Sequence, residues 1–149
     1  MSFVHLRTHT EYSLENGLIR IEKKKQPSPL MTAVQEGEMS AVAVTDLGNL
    51  FSAVKFYRAA TGSGIKPIFG SEVRIHPEEE SGLESRLGVL AQNSDGFKNI
   101  KTLLSRSFIE GQRRGVPQID RDWFKGLTAG VIALSGGRSG DIGQALLDG

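Results

Sequence analysis

Residues 2–9 alternate, with Val4 and Leu6 facing one way and His5, Arg7 and His9 the other. Successive strand side chains point to opposite faces, so this predicts a first strand with a polar face. A loop ends in Asn16-Gly17, and Leu30, Met31, Ala33 and Val34 then suggest a helix over 29–36, with Pro29 in its first turn and Gly37 stopping it. Residues 41–45 form a short apolar, partly β-branched run, the mark of a strand buried on both faces, and 46–49 read as a turn. Leu50, Phe51, Ala53, Val54 and Tyr57 recur at helical spacing within 50–61, Gly62 ends that run, and 66–75 read as the next strand.

The second half repeats the alternation. A linker over 77–85, rich in Glu and Ser, precedes a strand at 86–92. Ser94 is placed to cap a long helix in which Phe97, Ile100, Leu104 and Phe108 share a face. Residues 111–116 read as an exposed loop, 120–125 as a helical turn carrying Trp123, 131–135 as a further buried-type strand, and 140–147 as a last helix after Gly136-Gly137. Strand, helix, strand, helix, strand in the first half implies parallel strands joined by right-handed crossovers, an α/β architecture.

Length and composition fit one ordinary domain: 149 residues, 38% of them hydrophobic, are enough for a real core. A net charge of +1 gives no general attraction to nucleic acid, so any such contact must be local. The available clusters are Lys23-Lys24-Lys25 and Arg113-Arg114, and short charge runs of this kind usually form solvated faces. The absence of cysteine excludes disulfides, thiolate metal sites and Cys nucleophiles. With no long apolar run and no signal-peptide layout at the N-terminus, a cytoplasmic, non-membrane protein is expected.

In α/β folds, working groups gather at the C-terminal ends of strands. Three predicted strand ends carry them: His5, Arg7 and His9 on the first, Asp46 and Asn49 after the second, and Glu72 on the third. Each alone is an ordinary surface or turn residue, but convergent polar groups at one end of a sheet are the default site. Gly136-Gly137-Arg138-Ser139-Gly140 lacks a dinucleotide or P-loop fingerprint and reads as a tight turn. Phe97, Phe108, Trp123 and Phe124 read as core residues before base-stacking platforms.

The run His5-Leu6-Arg7-Thr8-His9-Thr10-Glu11-Tyr12-Ser13-Leu14-Glu15-Asn16-Gly17 resembles the first motif of the PHP (polymerase and histidinol phosphatase) family, in the form carried by bacterial DNA polymerase III α subunits. Thr45-Asp46-Leu47-Gly48-Asn49 resembles the second motif, and Gly64-Ile65-Lys66-Pro67-Ile68-Phe69-Gly70-Ser71-Glu72 the strand that follows it. Gly96-Phe97-Lys98-Asn99-Ile100, Leu103-Leu104-Ser105 and Ile132-Ala133-Leu134-Ser135-Gly136-Gly137 are similar to the polymerase branch rather than the phosphatases. The resemblance covers nearly the whole chain but not a whole family domain. It implies the N-terminal portion of a parallel (βα) barrel-like PHP fold, with the polymerase palm, thumb and fingers lying outside this chain.

The intact family site implies a cluster of divalent metals that activates water and clamps phosphate. Two alternating His and an acid before the Gly form its first motif, and the second ends in Asp-His. Here Arg7 replaces the first His, Asn16 the acid and Leu47 the motif-two His. Only His9 and Glu72 remain at ligand positions, with His5 and Asp46 nearby, whereas a metal site ordinarily needs three or more ligands. A vestigial site is therefore expected, with no bound cofactor, in which the permanent cation of Arg7 pairs with Glu72 or Asp46. The rival is a weak site completed by residues past 149.

By resemblance, the segment is an architectural, subunit-binding part of a DNA-directed DNA polymerase. The parent uses divalent metal (Mg) elsewhere and meets DNA there, and the implied partners are other polymerase III holoenzyme subunits, above all the proofreading exonuclease. The alternative is a metal-dependent phosphoesterase or pyrophosphatase, and a histidinol-phosphatase-like enzyme is further disfavoured by the polymerase-type segments. The chain stops just after a predicted helix where another strand is due, so truncation is expected, and an unfinished parallel sheet should self-associate. Light scattering should show association at micromolar concentration; a clean monomer throughout would contradict it.

Overall fold

The structure is a computed structural model that describes residues 3–22, 27–77 and 84–148, apart from the side chain of Glu15. Lys23, Lys24 and Lys25, residues 78–83 of the predicted linker, Ser2 and Gly149 lie outside the described residues. The chain divides into two compact units, Met1–Gly70 and Ser71–Gly149. The fold is mixed α/β.

In the first unit, Ser28 caps helix α1 (Pro29–Glu36): its Oγ accepts from the Met31 amide at 3.4 Å, and Pro29 fills the position where a missing N–H costs nothing. Strand β1 (Ala41–Leu47) is buried from Ala41 through Asp46, as a β-branched apolar run demands. Helix α2 (Ala53–Gly62) starts three residues later than its periodicity suggests. Asn49 Oδ1 takes the Phe51 amide at 3.1 Å and Leu50 O takes the Ala53 amide at 3.1 Å, spending residues 49–52 on a turn. Strand β2 (Lys66–Ile75) runs from the first unit into the second, and in the first it neighbours β1, with the Lys66 amide donating to Ser40 O at 3.0 Å. The core of this unit gathers Ile21, Leu30, Met31 and Val34 with Val42, Val44, Phe56, Ala60 and Ile65.

The strand expected over 2–9 does not form as a regular strand. Residues 3–9 run beside β1 as an extended segment whose His5 and Thr8 carbonyls accept from the Ala43 and Thr45 amides at 2.8 and 2.9 Å. The acceptors are three residues apart and the donors two, so one residue is extra and the ladder breaks as at a bulge. Thr45 Oγ1 fills the gap by accepting the Thr8 amide at 3.0 Å.

In the second unit, β2 is followed by β3 (Ser85–Ala91), helix α3 (Ser94–Ile109), the two-residue strands β4 (Gln112–Arg113) and β5 (Val116–Pro117), strand β6 (Val131–Ser135) and helix α4 (Asp141–Asp148). The strand order is β2-β3-β6. β3 and β6 pair antiparallel, Leu87 opposite Ser135 through Ala91 opposite Val131, so the sheet is mixed. β6 lies at the edge of that order and is not the buried-type strand expected, with Ile132 44% exposed.

Asn93, not Ser94, caps α3: its Oδ1 accepts the Asp95 and Gly96 amides at 3.1 and 3.0 Å. The buried stripe is Ile100, Leu103, Leu104 and Ser107, so Phe108 turns outward at 45% exposure, and neither Trp123 nor Phe124 is fully buried. A Cβ on Gly96 would overlap the Gly130 carbonyl, which fixes glycine there by close approach of two backbones. The expected loop over 111–116 is instead the β4–β5 hairpin. Residues 137–139 form a single 3-10 turn, in keeping with the tight turn expected there. Among the described residues no helix is long and apolar enough to cross a membrane.

Phe56 is fully buried and meets the Phe69 ring edge-on, centroids 5.6 Å apart. Phe56→Ala should destabilise the chain by about 3–5 kcal/mol, the range for emptying a buried aromatic site. Phe108→Ala should stay within about 0.5 kcal/mol, as for exposed positions. Urea titrations of the two variants check the contrast.

Candidate functional site

The first-unit candidates separate into a cleft and a buried clasp. His5, Arg7, His9 and Asn16 line one cleft of about 600 Å³, walled by Leu18, Ile19, Leu30, Ala33, Val34, Met39 and Val42. The extended segment of residues 3–9 presents the first three, and the 3-10 turn Glu11–Asn16 ends at the fourth. His5 and Arg7 are exposed and His9 is half-buried. The His5 ring also meets Phe3 edge-on, centroids 4.7 Å apart. Seven of the residues lining the cleft are apolar: Leu18 and Ile19 after the turn, Leu30, Ala33 and Val34 on α1, Met39 between α1 and β1, and Val42 on β1.

Asp46 does not line that cleft. It is 1% exposed at the end of β1, and hydroxyls and an amide surround its carboxylate. Oδ1 accepts from the Thr10 amide at 2.7 Å, from Thr10 Oγ1 at 2.9 Å and from Ser13 Oγ at 2.7 Å. Oδ2 accepts from Thr10 Oγ1 at 2.8 Å and Ser52 Oγ at 2.6 Å. A carboxylate offers about four lone-pair sites, and these donors fill them. Ser13 Oγ in turn accepts the Leu47 amide at 3.1 Å, while Asn49 Nδ2 donates to the Tyr12 and Leu47 carbonyls at 3.1 and 3.0 Å.

Asp46 thus ties three pieces of chain together: the turn after the extended segment, the end of β1 and the approach to α2. Leu47 sits half-buried at that junction with its backbone engaged. Nearby, the Lys55 ammonium stands 5.3 Å from the centre of the Tyr12 ring. Hydrogen bonding to the Tyr12 side chain, then charge interaction with it, raises the Lys55 pKa above the ordinary lysine value.

In the second unit, Glu72 is 2% exposed and accepts from Arg86 Nη1 on β3 at 3.0 Å, an ion pair set by neighbouring strands. Arg86 was not a sequence candidate. Its partnership follows from β2 and β3 lying side by side, which no local pattern announces. Thr10, Ser13 and Ser52 were missed as well: Thr10 and Ser13 lie 36 and 33 residues before Asp46, so no local pattern links them to it.

These contacts decide how far the carboxylates suit a metal. As placed, Asp46 has its lone pairs committed to protein donors, and Glu72 is neutralised by a guanidinium. Among the described residues no group of three or more His, Asp or Glu is arranged to hold a metal ion.

Removing the clasp should cost more than removing a cleft residue. Asp46→Ala leaves Thr10, Ser13 and Ser52 without their shared acceptor and should destabilise the chain by about 3 kcal/mol, the scale for hydrogen bonds to a buried charged group. His5→Ala should change stability by less than about 0.5 kcal/mol. Thermal melts at neutral pH distinguish the two, and equal effects would remove the structural role assigned to Asp46.

The PHP domain profile matches residues 5–149. The chain is 51% identical over 149 residues to the DNA polymerase III subunit alpha of Pseudomonas aeruginosa, covering 100% of this chain and 12% of that protein. It is 46% identical over 148 residues to the Pseudomonas fluorescens protein of the same name, and 42% identical over 147 residues to that of Escherichia coli K12. Each alignment covers 99% of this chain and 12% of the relative. The chain thus spans about one-eighth, 12%, of the length of these curated relatives, and the matched part is their N-terminal region. With the family profile matched from His5 to its last residue, the chain belongs to the PHP domain family.

Proposed function

We propose that this chain is the N-terminal PHP segment of a replicative DNA polymerase III alpha subunit, and that within it the segment is a scaffold and subunit-binding module rather than a hydrolase. The observation that carries the second part is the commitment of the Asp46 carboxylate to Thr10, Ser13 and Ser52. Arg7, Asn16 and Leu47 at positions where the family has ligands support the same reading, as does the Glu72–Arg86 pair. The relatives' shared name supports the first part.

In this reading the parent is a cytoplasmic DNA-directed DNA polymerase, a nucleotidyltransferase. Its divalent metal, Mg, is held by palm carboxylates elsewhere in the protein, as two-metal chemistry requires. The PHP segment itself holds no metal cofactor. Its partners are other holoenzyme subunits, foremost the proofreading exonuclease, and it stabilises the polymerase domains that follow it. His5, Arg7, His9, Asn16, Asp46, Leu47 and Glu72 are then the remnants of a metal site.

The test is the metal content of a polypeptide carried through the complete PHP domain, dialysed against zinc and manganese and measured by elemental analysis. Less than one metal per chain is expected. Stoichiometric retention of two or three would make the domain a phosphoesterase candidate and overturn the scaffold reading.

A further inference from the structure

We propose that the β4–β5 hairpin is a contact site for the phosphate backbone of duplex DNA, made by Arg113 and Arg114. The two strands pair Gln112 with Pro117 and Arg113 with Val116, leaving a two-residue turn at Arg114-Gly115 with φ of 53° and 78°. Positive φ at both central residues is the type I′ geometry, the turn whose twist matches a two-stranded antiparallel ribbon.

The ribbon is held firmly at its base. The Gln118 amide donates to Gly111 O at 3.0 Å, and the Ile119 amide continues onto Arg74 O of β2 at 2.9 Å. Its base is therefore tied into the unit by backbone hydrogen bonds, and less chain entropy is lost on binding than for an untethered loop.

In the second unit Arg74, Arg86, Lys98, Arg106, Arg121 and Lys125 all have carboxylate partners. Arg113 and Arg114 are both exposed, adjacent in sequence, and make no ion pair or side-chain hydrogen bond among the described residues. Among the described residues of the second unit, Lys101 and Arg138 are also exposed and without a carboxylate partner, so what sets Arg113 and Arg114 apart is that they stand side by side at one turn. Two adjacent guanidinium forks at one hairpin turn match phosphate oxygens, which arginine binds bidentately.

The scaffold favours DNA over a protein strand. Pro117 removes a backbone donor from β5, so the hairpin is poorly suited to accept an added strand. A narrow two-stranded ribbon does fit a DNA groove. Two phosphate contacts predict a log–log salt slope near −2, and hence about a tenfold loss of affinity between ~50 and ~200 mM salt.

The experiment is an ¹⁵N-detected NMR titration of the 149-residue chain with a short mixed-sequence duplex at low salt. Shifts should be confined to residues 111–118, should weaken about tenfold across that salt range, and should disappear in Arg113→Ala/Arg114→Ala. Arg58→Ala should leave them unchanged. Absence of shifts, shifts centred elsewhere, or displacement of the duplex by an equal charge of polyglutamate, which would indicate an acidic protein surface, would each overturn the proposal. The readout is independent of metal content, so it stands or falls separately from the scaffold reading.

Discussion

A buried carboxylate must find donors or cost the fold dearly, and Asp46 meets that constraint by recruiting its own neighbourhood. Thr10 gives it an amide and a hydroxyl, Ser13 and Ser52 one hydroxyl each, and Ser13 passes the connection on to the Leu47 amide. The path of the first unit depends on this arrangement. The extended segment is held against β1, the 3-10 turn is locked beneath it, and α2 begins where Ser52 can reach the acid. Such a network is worth having only when complete, because a partly satisfied one in a low-dielectric interior is worse than none.

The same arrangement separates chemistry from architecture. Residues that a motif reading groups into one site divide between an open cleft, lined by His5, Arg7, His9 and Asn16, and an interior, where Asp46 is consumed by hydrogen bonds. Glu72, in the other unit, is matched to Arg86. Family membership and geometry thus speak to different things: the first places the chain among PHP domains, the second shows which protein groups hold these side chains.

Much of the fold was legible in the residues. Pro29 and Gly37 bracket α1, and the apolar run of β1 and the limits of β2 follow from composition and punctuation alone, because breakers and β-branching act locally. The failures are non-local. Alternation over residues 2–9 looked like a strand, yet the extra residue between His5 and Thr8 breaks its register with β1, and register lies in the partner. The Val131–Ser135 run reads as a buried-type strand, yet it lies at an edge and pairs antiparallel with β3, which depends on sheet order. The hairpin tip at Arg114-Gly115 hid because arginine is a rare occupant of a left-handed position. In the site, the hydroxyl donors around Asp46 and the Arg86 contact of Glu72 are not legible in the sequence, since each is recruited from another element.

The interlock of Gly96 with Gly130 has a temporal side. The neighbouring bond from Asn99 Nδ2 to Ala129 O, 2.9 Å, joins residues 30 apart and fastens the first turns of α3 to the turn that leads into β6. Closing a loop of that length costs entropy that only the finished contacts repay. During synthesis from the N-terminus, the donors of Asp46 are all present once Ser52 has emerged from the ribosome. In the second unit α3 can pack on β3 as soon as it forms, but its fastening to the turn before β6 needs Gly130, so the clasp of the first unit is complete in chain order well before that last contact of α3.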